Sequence, residues 1–451
     1  MATLAILLRD RGHDVRGSDE HVYPPMSDLL AERGIVLMPG YRAEHVSDDL
    51  DLVVIGNAVS RGNPEVEAVL ERKLRYASLP ESVRNEFLWG SRSIVAAGTH
   101  GKTTTAFMVA WALTEAKRDP SFLIGGISRN FDTSGRLGEG DVFVVEGDEY
   151  DSAFFDKTAK FLKYLPDVVI VNNVEFDHAD IYHDLDELRT TFRRLVGLIP
   201  RTGRLVVCAD DDEARALGDA ALCAVDTFGL DASAQWRAVN IAYGAHETTF
   251  DVAHEGSVVE RVALPMLGAF NVRNALGAIA AAASVGIDPH VTAQSLKTFR
   301  GVRRRLEVRG VAADVTVYDD FAHHPTAVRE TLAAMRASDP SGRIWALFEP
   351  RSATACRRVF QRAFAESFRL ADEVVIAAVH RRSIPTAERL SEPELVADLT
   401  ANGVGARFIS TVDEIVSAVV EEARPGDQVI VMSNGGFDGI HGKLLEGLRG
   451  R

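Results

Sequence analysis

The chain has 451 residues, 46% hydrophobic and 25% charged, with a formal net charge of -15. At ~150 residues per domain this length corresponds to about three domains, and no apolar run approaches the ~20 residues needed to span a bilayer. The acidic balance argues against a nucleic-acid partner, which demands a basic face to displace counterions, and points to small molecules instead.

Residues 3 to 12 repeat apolar groups at helical spacing and stop at Gly12, and "HDVRGSD" then reads as a short strand ending in Asp19. A helix followed by a strand ending in an acid is the second half of a dinucleotide-type βαβ unit, whose first half is a strand and a Gly-rich turn. Met1 falls where that helix should already have begun, so we expect a chain clipped just after a phosphate-binding turn. "LDLVVIGNAVSRGNPEVEAVLER" continues with a strand, a polar loop and a helix, closing a first domain near residue 92. From "SRSIVAAG" a strand, a loop and a long helix from Lys102 to Lys117 lead into strands "DVFVVEG" and "PDVVIVNN", the alternation of a parallel α/β sheet. Residues 222 to 264 suggest a small antiparallel appendage, and "NVRNALGAIAAAASVGI" a compact, Ala-rich buried helix. A third series starts near Phe299: strand "DVTVYDD", a helix to about Met335, strand "RIWALFEP", then three helix and strand pairs ending in "DQVIVMSNGG". Cys208, Cys223 and Cys356 form no CxxC pair, so neither a disulfide framework nor a zinc knuckle is supported, in keeping with a reducing cytoplasm. Nothing in the sequence signals an oligomeric state.

"AAGTHGKTTT" lacks the glycine that the common phosphate-loop pattern places four residues before Gly-Lys-Thr; Ala96 stands there. It nonetheless follows an apolar strand and opens a helix, so the N–H groups from Gly101 to Thr104 and the helix dipole face an anion. Lys102 can then reach the terminal phosphates, and the Thr103 or Thr104 hydroxyl can hold Mg²⁺. Glu146, at the exit of a buried strand in "VFVVEGDEYDSAFF", is a candidate Mg²⁺ ligand, whereas Asp148, Glu149 and Asp151 read as a solvated acidic turn. One strand further, His178 follows another strand edge and is a candidate beside a second Mg²⁺ or the transferred phosphoryl group.

Taken in order, "GTHGKTTT", "VEGDEYDSAFFD", "NNVEFDHADIY", "RGVRRRLEVRG" and "DDFAHHPTAV" resemble the Mur ligases, the ATP-dependent amide-bond-forming enzymes of peptidoglycan synthesis. The resemblance implies three α/β domains: a Rossmann-like UDP-sugar domain at 1–92 without its first strand, a P-loop ATPase with a parallel sheet at 93–298, and a Rossmann-like closing domain at 299–451. It implies an ATP site with Gly98, Thr99, His100, Gly101, Lys102, Thr103, Thr104, Asn271, Asn274, Arg304 and Asp320. Mg²⁺ would fall to Thr103, Thr104, Glu146 and His178, and the UDP-sugar to Ser18, Asp19, Asn57 and Ser60. Lys102, Glu146, His178 and Arg304 would carry the catalysis. Arg351, Ser352 and Asn434, in loops after C-terminal strands, are candidates for a peptide carboxylate. The family's loop has its signature glycines at 98 and 101 and needs none at 96.

Within the family, "GSDEHVYPPMS", "GNAVSRGNPEVEAV", "FEPRSAT" and "NGGFDGIHGKLL" are similar to the murein-recycling branch, which joins L-alanyl-γ-D-glutamyl-meso-diaminopimelate to UDP-N-acetylmuramate. "EGDEYD" departs from the Glu-Ala-Asp-Glu-Ser-Asp of the branch that adds L-alanine, which remains the alternative. Phe270 stands where the family usually has His, which keeps stacking but forfeits an imidazole hydrogen bond. No Lys lies on the helix after "DHADIYHDLDELRTTF", so the carbamylated lysine of several relatives is not expected. A protein that only binds or hydrolyses ATP, its UDP site being incomplete, is a second reading. A dinucleotide oxidoreductase is disfavoured by the lack of a complete GxGxxG.

Overall fold

Val168–Val171, four β-branched residues buried on both faces, forms the middle of the largest sheet in the computed structural model, which describes residues 1–22, 26–381 and 383–451. Residues 23–25, inside the "GSDEHVYPPMS" stretch, and residue 382 lie outside the described residues. A strand buried on both sides needs helices on both faces, and the sequence supplies them between successive strands. Val168–Val171 pairs in parallel with Arg92–Ala97 on one side and Arg204–Cys208 on the other. Val142–Glu146 lies beyond Arg92–Ala97, then Ser121–Leu123 and Gly135–Arg136. Ala224–Gly229 extends the opposite side in parallel.

The expected antiparallel appendage is the far edge of this same ten-stranded sheet. Trp236–Tyr243 pairs in parallel with Ala224–Gly229 over two residues only, Phe228 and Gly229, and antiparallel with Thr248–His254, which pairs in turn with Ser257–Leu264. That short overlap makes the sheet continuous, and composition does not reveal it. The Ala-rich helix Ala269–Ser284 packs on Lys102–Glu115, and its Gly277 lets the Phe228 ring approach so closely that an added Cβ would stand 3.1 Å away.

The C-terminal sheet has six strands. Val315–Asp320, Gln428–Met432, Ile344–Phe348, Glu373–Ile376 and Gly405–Phe408 run parallel, and Glu307–Ala312, unforeseen in the sequence, caps the edge antiparallel. Its residues are mostly exposed or half-exposed, so the strand lacks the apolar run that marks a buried one. In the first domain, Arg16–Asp19 pairs with Val36–Pro39, and Val53–Ile55 with Tyr76–Ser78, each in parallel. The two pairs are separate sheets among the described residues, where a single Rossmann-like sheet was expected. Among the described residues no helix is long and apolar enough to cross a membrane.

Phe107 holds the helix Lys102–Glu115 in place: it is fully buried and meets Phe122 edge-on at 5.8 Å. Phe107→Ala should cost roughly 3–5 kcal/mol through the cavity it leaves, measurable by denaturant unfolding monitored on the central domain.

Candidate active site

Strand Arg92–Ala97 ends in a turn whose two glycines are required by space as well as by backbone conformation. Gly98 has φ +126, and a Cβ there would lie 3.0 Å from the carbonyl oxygen of Asn173. Gly101 has φ +80, and its Cβ would lie 2.4 Å from Asn274 Oδ1 and 2.6 Å from Asn172 Nδ2. The loop is tied to the exit of Val168–Val171: Thr99 N donates to Asn173 O at 3.0 Å, and His100 N to Asn173 Oδ1 at 2.7 Å. Behind it Asn172 Nδ2 donates to Thr105 Oγ1, and Thr105 Oγ1 to Asn274 Oδ1. Asn274 Nδ2 donates in turn to Asn271 Oδ1. Both asparagines expected near the nucleotide are thus buried and brace the loop from behind. The helix Lys102–Glu115 starts at Gly101 with no side-chain cap, so its first N–H groups remain available to an anion.

Lys102 Nζ donates to Gly98 O at 2.8 Å, Thr99 O at 3.2 Å and Glu149 Oε2 at 2.9 Å. Burial alone would lower its pKa, but Glu149, Asp148 and Glu146 outweigh that and keep the ammonium charged. Thr103 Oγ1 donates to Glu146 Oε1 at 2.9 Å, and Gly125 N holds the other oxygen of that carboxylate at 2.7 Å. Thr103, and not Thr104, therefore presents its hydroxyl beside an acid. A hydroxyl and a carboxylate are hard oxygen donors, and with Lys102 and the uncapped helix they fit a nucleotide triphosphate and Mg²⁺.

Glu149 is not in a solvated turn. It is 1% exposed, clamped between Lys102 and His178 Nε2 at 2.8 Å, and Asp151 is buried as well. The acids of "EGDEYD" diverge because the strand ends at Glu146 and the chain folds back into Asp151–Ala153. His178 sits in a left-handed conformation, φ +55, under the Tyr150 ring at 4.0 Å between centroids. Burial would lower its pKa, but the hydrogen bond and charge of Glu149, with Asp177, raise it above the ordinary imidazole value. An imidazolium only donates. As held here His178 answers Glu149, and Glu146 is the acid that faces Thr103.

The closing domain meets this loop through the segment after Phe299. The structure directs Arg304 away from the phosphate loop: its guanidinium donates to Ser433 O and Gly435 O, both at 2.6 Å, and approaches Asp319. Its neighbour Arg305 points to Thr103 Oγ1 at 3.4 Å. Arg304 has φ +61, and this left-handed residue reverses which of two adjacent arginines faces the central domain. Asp320 is buried and accepts Leu306 N at 2.6 Å and Ala322 N at 2.8 Å, holding the turn that carries both. Across the same seam Thr354 donates to Asp177 Oδ1, and His178 N lies 3.1 Å from Thr354 Oγ1.

The remaining candidates fall into two groups. Ser18 donates to Glu65, Asp19 accepts His21 N, and Ser60 is exposed in the loop after Val53–Ile55. Asn57, in the same loop, reaches Asp151 Oδ1 at 3.0 Å and so links the first domain to the central one. Arg351 lies against Gly435 and 3.6 Å from Glu349, and the neighbouring Asn434 Oδ1 is buried with no hydrogen-bond partner. Ser352 Oγ accepts Ala355 N at 2.9 Å and serves its own turn.

An uncapped helix N-terminus, a charged lysine and a threonine–carboxylate pair, met by an arginine from the next α/β domain, are the groups that phosphoryl transfer calls for. Residues 96–282 match the Mur ligase middle domain, 304–435 the Mur ligase glutamate ligase domain, and 1–85 the Mur ligase family catalytic domain. The chain belongs to the Mur ligase family. It is 44% identical to the UDP-N-acetylmuramate–L-alanyl-gamma-D-glutamyl-meso-2,6-diaminoheptandioate ligase of Escherichia coli, over 99% of this chain and 96% of that protein. It is 33% identical to the UDP-N-acetylmuramate–L-alanine ligase of Rhizobium etli, over 100% of this chain and 96% of that protein. The crystal structure of a murein peptide ligase from Psychrobacter arcticus aligns with a TM-score of 0.74 at 37% identity, covering 100% of this chain and 97% of that one.

Two measurements test the geometry. Gly101→Ala should weaken MgATP binding by more than about tenfold, because the strained residue collides with Asn172 and Asn274. Arg305→Met should weaken it more than Arg304→Met, which should instead lower the unfolding midpoint; equal binding losses would contradict the observed division of the two arginines.

Proposed function

We propose that this chain is a cytoplasmic ATP-dependent ligase that joins L-alanyl-γ-D-glutamyl-meso-diaminopimelate to the lactyl carboxylate of UDP-N-acetylmuramate. The observation that carries this reading is the convergence of Lys102, the Thr103–Glu146 pair and Arg305 on one uncapped helix N-terminus. The higher identity to a tripeptide ligase than to an alanine ligase, 44% against 33%, favours the recycling branch.

A carboxylate and an amine condense only when the leaving oxygen is activated. Transfer of the γ-phosphoryl group of ATP to the muramoyl carboxylate breaks its bond to the departing ADP and gives an acyl phosphate; the tripeptide amine attacks the carbonyl carbon, and inorganic phosphate departs with the oxygen as the nitrogen gives up a proton. Bringing an anionic carboxylate to an anionic nucleotide is the electrostatic difficulty, and cations placed in advance offset it. Lys102 is held charged in the loop, and incoming phosphates compete with Glu149 for its ammonium. Arg305 adds a second cation when the closing domain is in place. Thr103 and Glu146 would hold Mg²⁺, which supplies further charge neutralisation when bound. Glu149, once its lysine engages phosphate, keeps His178 as partner and remains compensated. On the peptide side, Arg351 offers a planar fork for a carboxylate, and Glu349 beside it an acceptor for an ammonium, the two charges at the free end of diaminopimelate.

With ATP, Mg²⁺ and UDP-N-acetylmuramate present, tripeptide should be ligated with one phosphate released per bond, and L-alanine should be a far poorer acceptor. Preference for L-alanine would transfer the chain to the other branch, and phosphate release indifferent to either acceptor would reduce it to an ATPase. Lys102→Ala should cost about 100-fold or more in turnover while the far-UV spectrum is unchanged; retained turnover would refute the role assigned to this lysine.

A further inference from the structure

On the side of the phosphate loop that faces the closing domain, the ring of His100, a residue of that loop, converges with Glu175 and His324, neither of which enters the chemistry above. His100 Nε2 lies 3.2 Å from Glu175 Oε2, and His324 Nδ1 lies 3.5 Å from the same oxygen. The three candidate ligand atoms all fall within 4.8 Å of one another, and the two ring centroids are 4.7 Å apart. Ligands bound tetrahedrally at ~2.0–2.1 Å stand about 3.3 Å from each other, so both contacts to Glu175 have the spacing of groups sharing one ion.

The proton positions sharpen this. His324 Nε2 lies 3.2 Å from the carbonyl oxygen of Phe176, which can only accept, so the ring proton is on Nε2. His324 Nδ1 accepts Thr326 N–H at 3.3 Å, a long bond that a metal on that lone pair would replace. With its proton on Nε2, His324 turns the Nδ1 lone pair toward Glu175 Oε2, so two acceptors face each other. A cation removes that repulsion. The Nε2–H bond to a backbone carbonyl is also the outer contact that orients a metal-binding imidazole.

We propose that His100, Glu175 and His324 bind one divalent transition-metal ion of the Zn²⁺ or Co²⁺ kind at the seam between the central and closing domains. Two imidazoles and one carboxylate select such ions over Mg²⁺, which the all-oxygen pair at Thr103 and Glu146 suits better. Glu175 is 29% exposed and His100 19%, so the ion has a route from solvent. His100 and Glu175 belong to loops of the central domain, and His324 precedes the helix Pro325–Ser338 of the closing one, so the ion fastens the closed arrangement. The proposal does not depend on the ligase reading.

The test is a titration of the full-length, metal-stripped protein with Co²⁺ in excess Mg²⁺, which occupies the oxygen site. One Co²⁺ should bind with the visible absorption of a low-coordinate nitrogen and oxygen environment, Zn²⁺ should displace it, and the unfolding midpoint should rise with the metal. Glu175→Gln and His324→Ala should each weaken binding by more than about tenfold, while Glu146→Gln should leave it unchanged. Circular dichroism without metal shows whether each variant is folded, and His100→Ala carries the same expectation should His324→Ala fail to fold. No Co²⁺ bound in excess Mg²⁺, binding insensitive to either of the first two substitutions, or binding lost in Glu146→Gln would overturn the assignment.

Discussion

The closeness of one loop to its neighbouring strand sets the constraint on which the rest of the site depends. Gly98 and Gly101 have no side chains because the backbone at Asn173 and the amides of Asn172 and Asn274 occupy that space. Once the loop is seated there, the helix from Lys102 must begin under it, and the Lys102 ammonium is confined between the Gly98 and Thr99 carbonyls and Glu149. Glu149 then needs a second donor to balance its burial, and His178 provides it. The positive charge at the site thus follows from a packing requirement between two adjacent parallel strands.

The same exit of Val168–Val171 also receives the closing domain. Phe176 O, Asp177 and the His178 amide are contacted by His324 and Thr354. A single stretch, from Asn172 to His178, therefore supports the phosphate loop on one side and the closing domain on the other. Asp177, buried yet held well below the usual carboxylate range, chiefly by the charge of His178, takes the Thr354 hydroxyl of the closing domain as its second partner.

What could be read from the sequence was whatever is local. The strand, loop and helix around "AAGTHGKTTT" announce themselves by spacing, and Glu146 by an acid at the end of an apolar run. Glu149 was unreadable because its burial comes from Lys102 and His178, one 47 residues before it and the other 29 after. The sequence reading turns Arg304 toward the phosphates where the structure turns Arg305, since nothing in "RRR" indicates a left-handed residue in the middle. Glu307–Ala312 escaped notice because its valines, Val308 and Val311, stand exposed among Glu307, Arg309 and Gly310 and form no apolar run. The ten-stranded sheet looked like a sheet with an appendage because two residues of pairing join its halves.

The division between the two adjacent arginines has a mechanical meaning. Arg304 is fastened to the turn at Ser433 and Gly435, and both guanidiniums rest on the Phe321 ring, at 5.2 and 4.9 Å. Arg305 is consequently cargo of the closing domain, although the chain delivers it at the border. The positive charge beside Thr103 is therefore set by how the C-terminal domain is seated, and not by the stretch of chain that carries it.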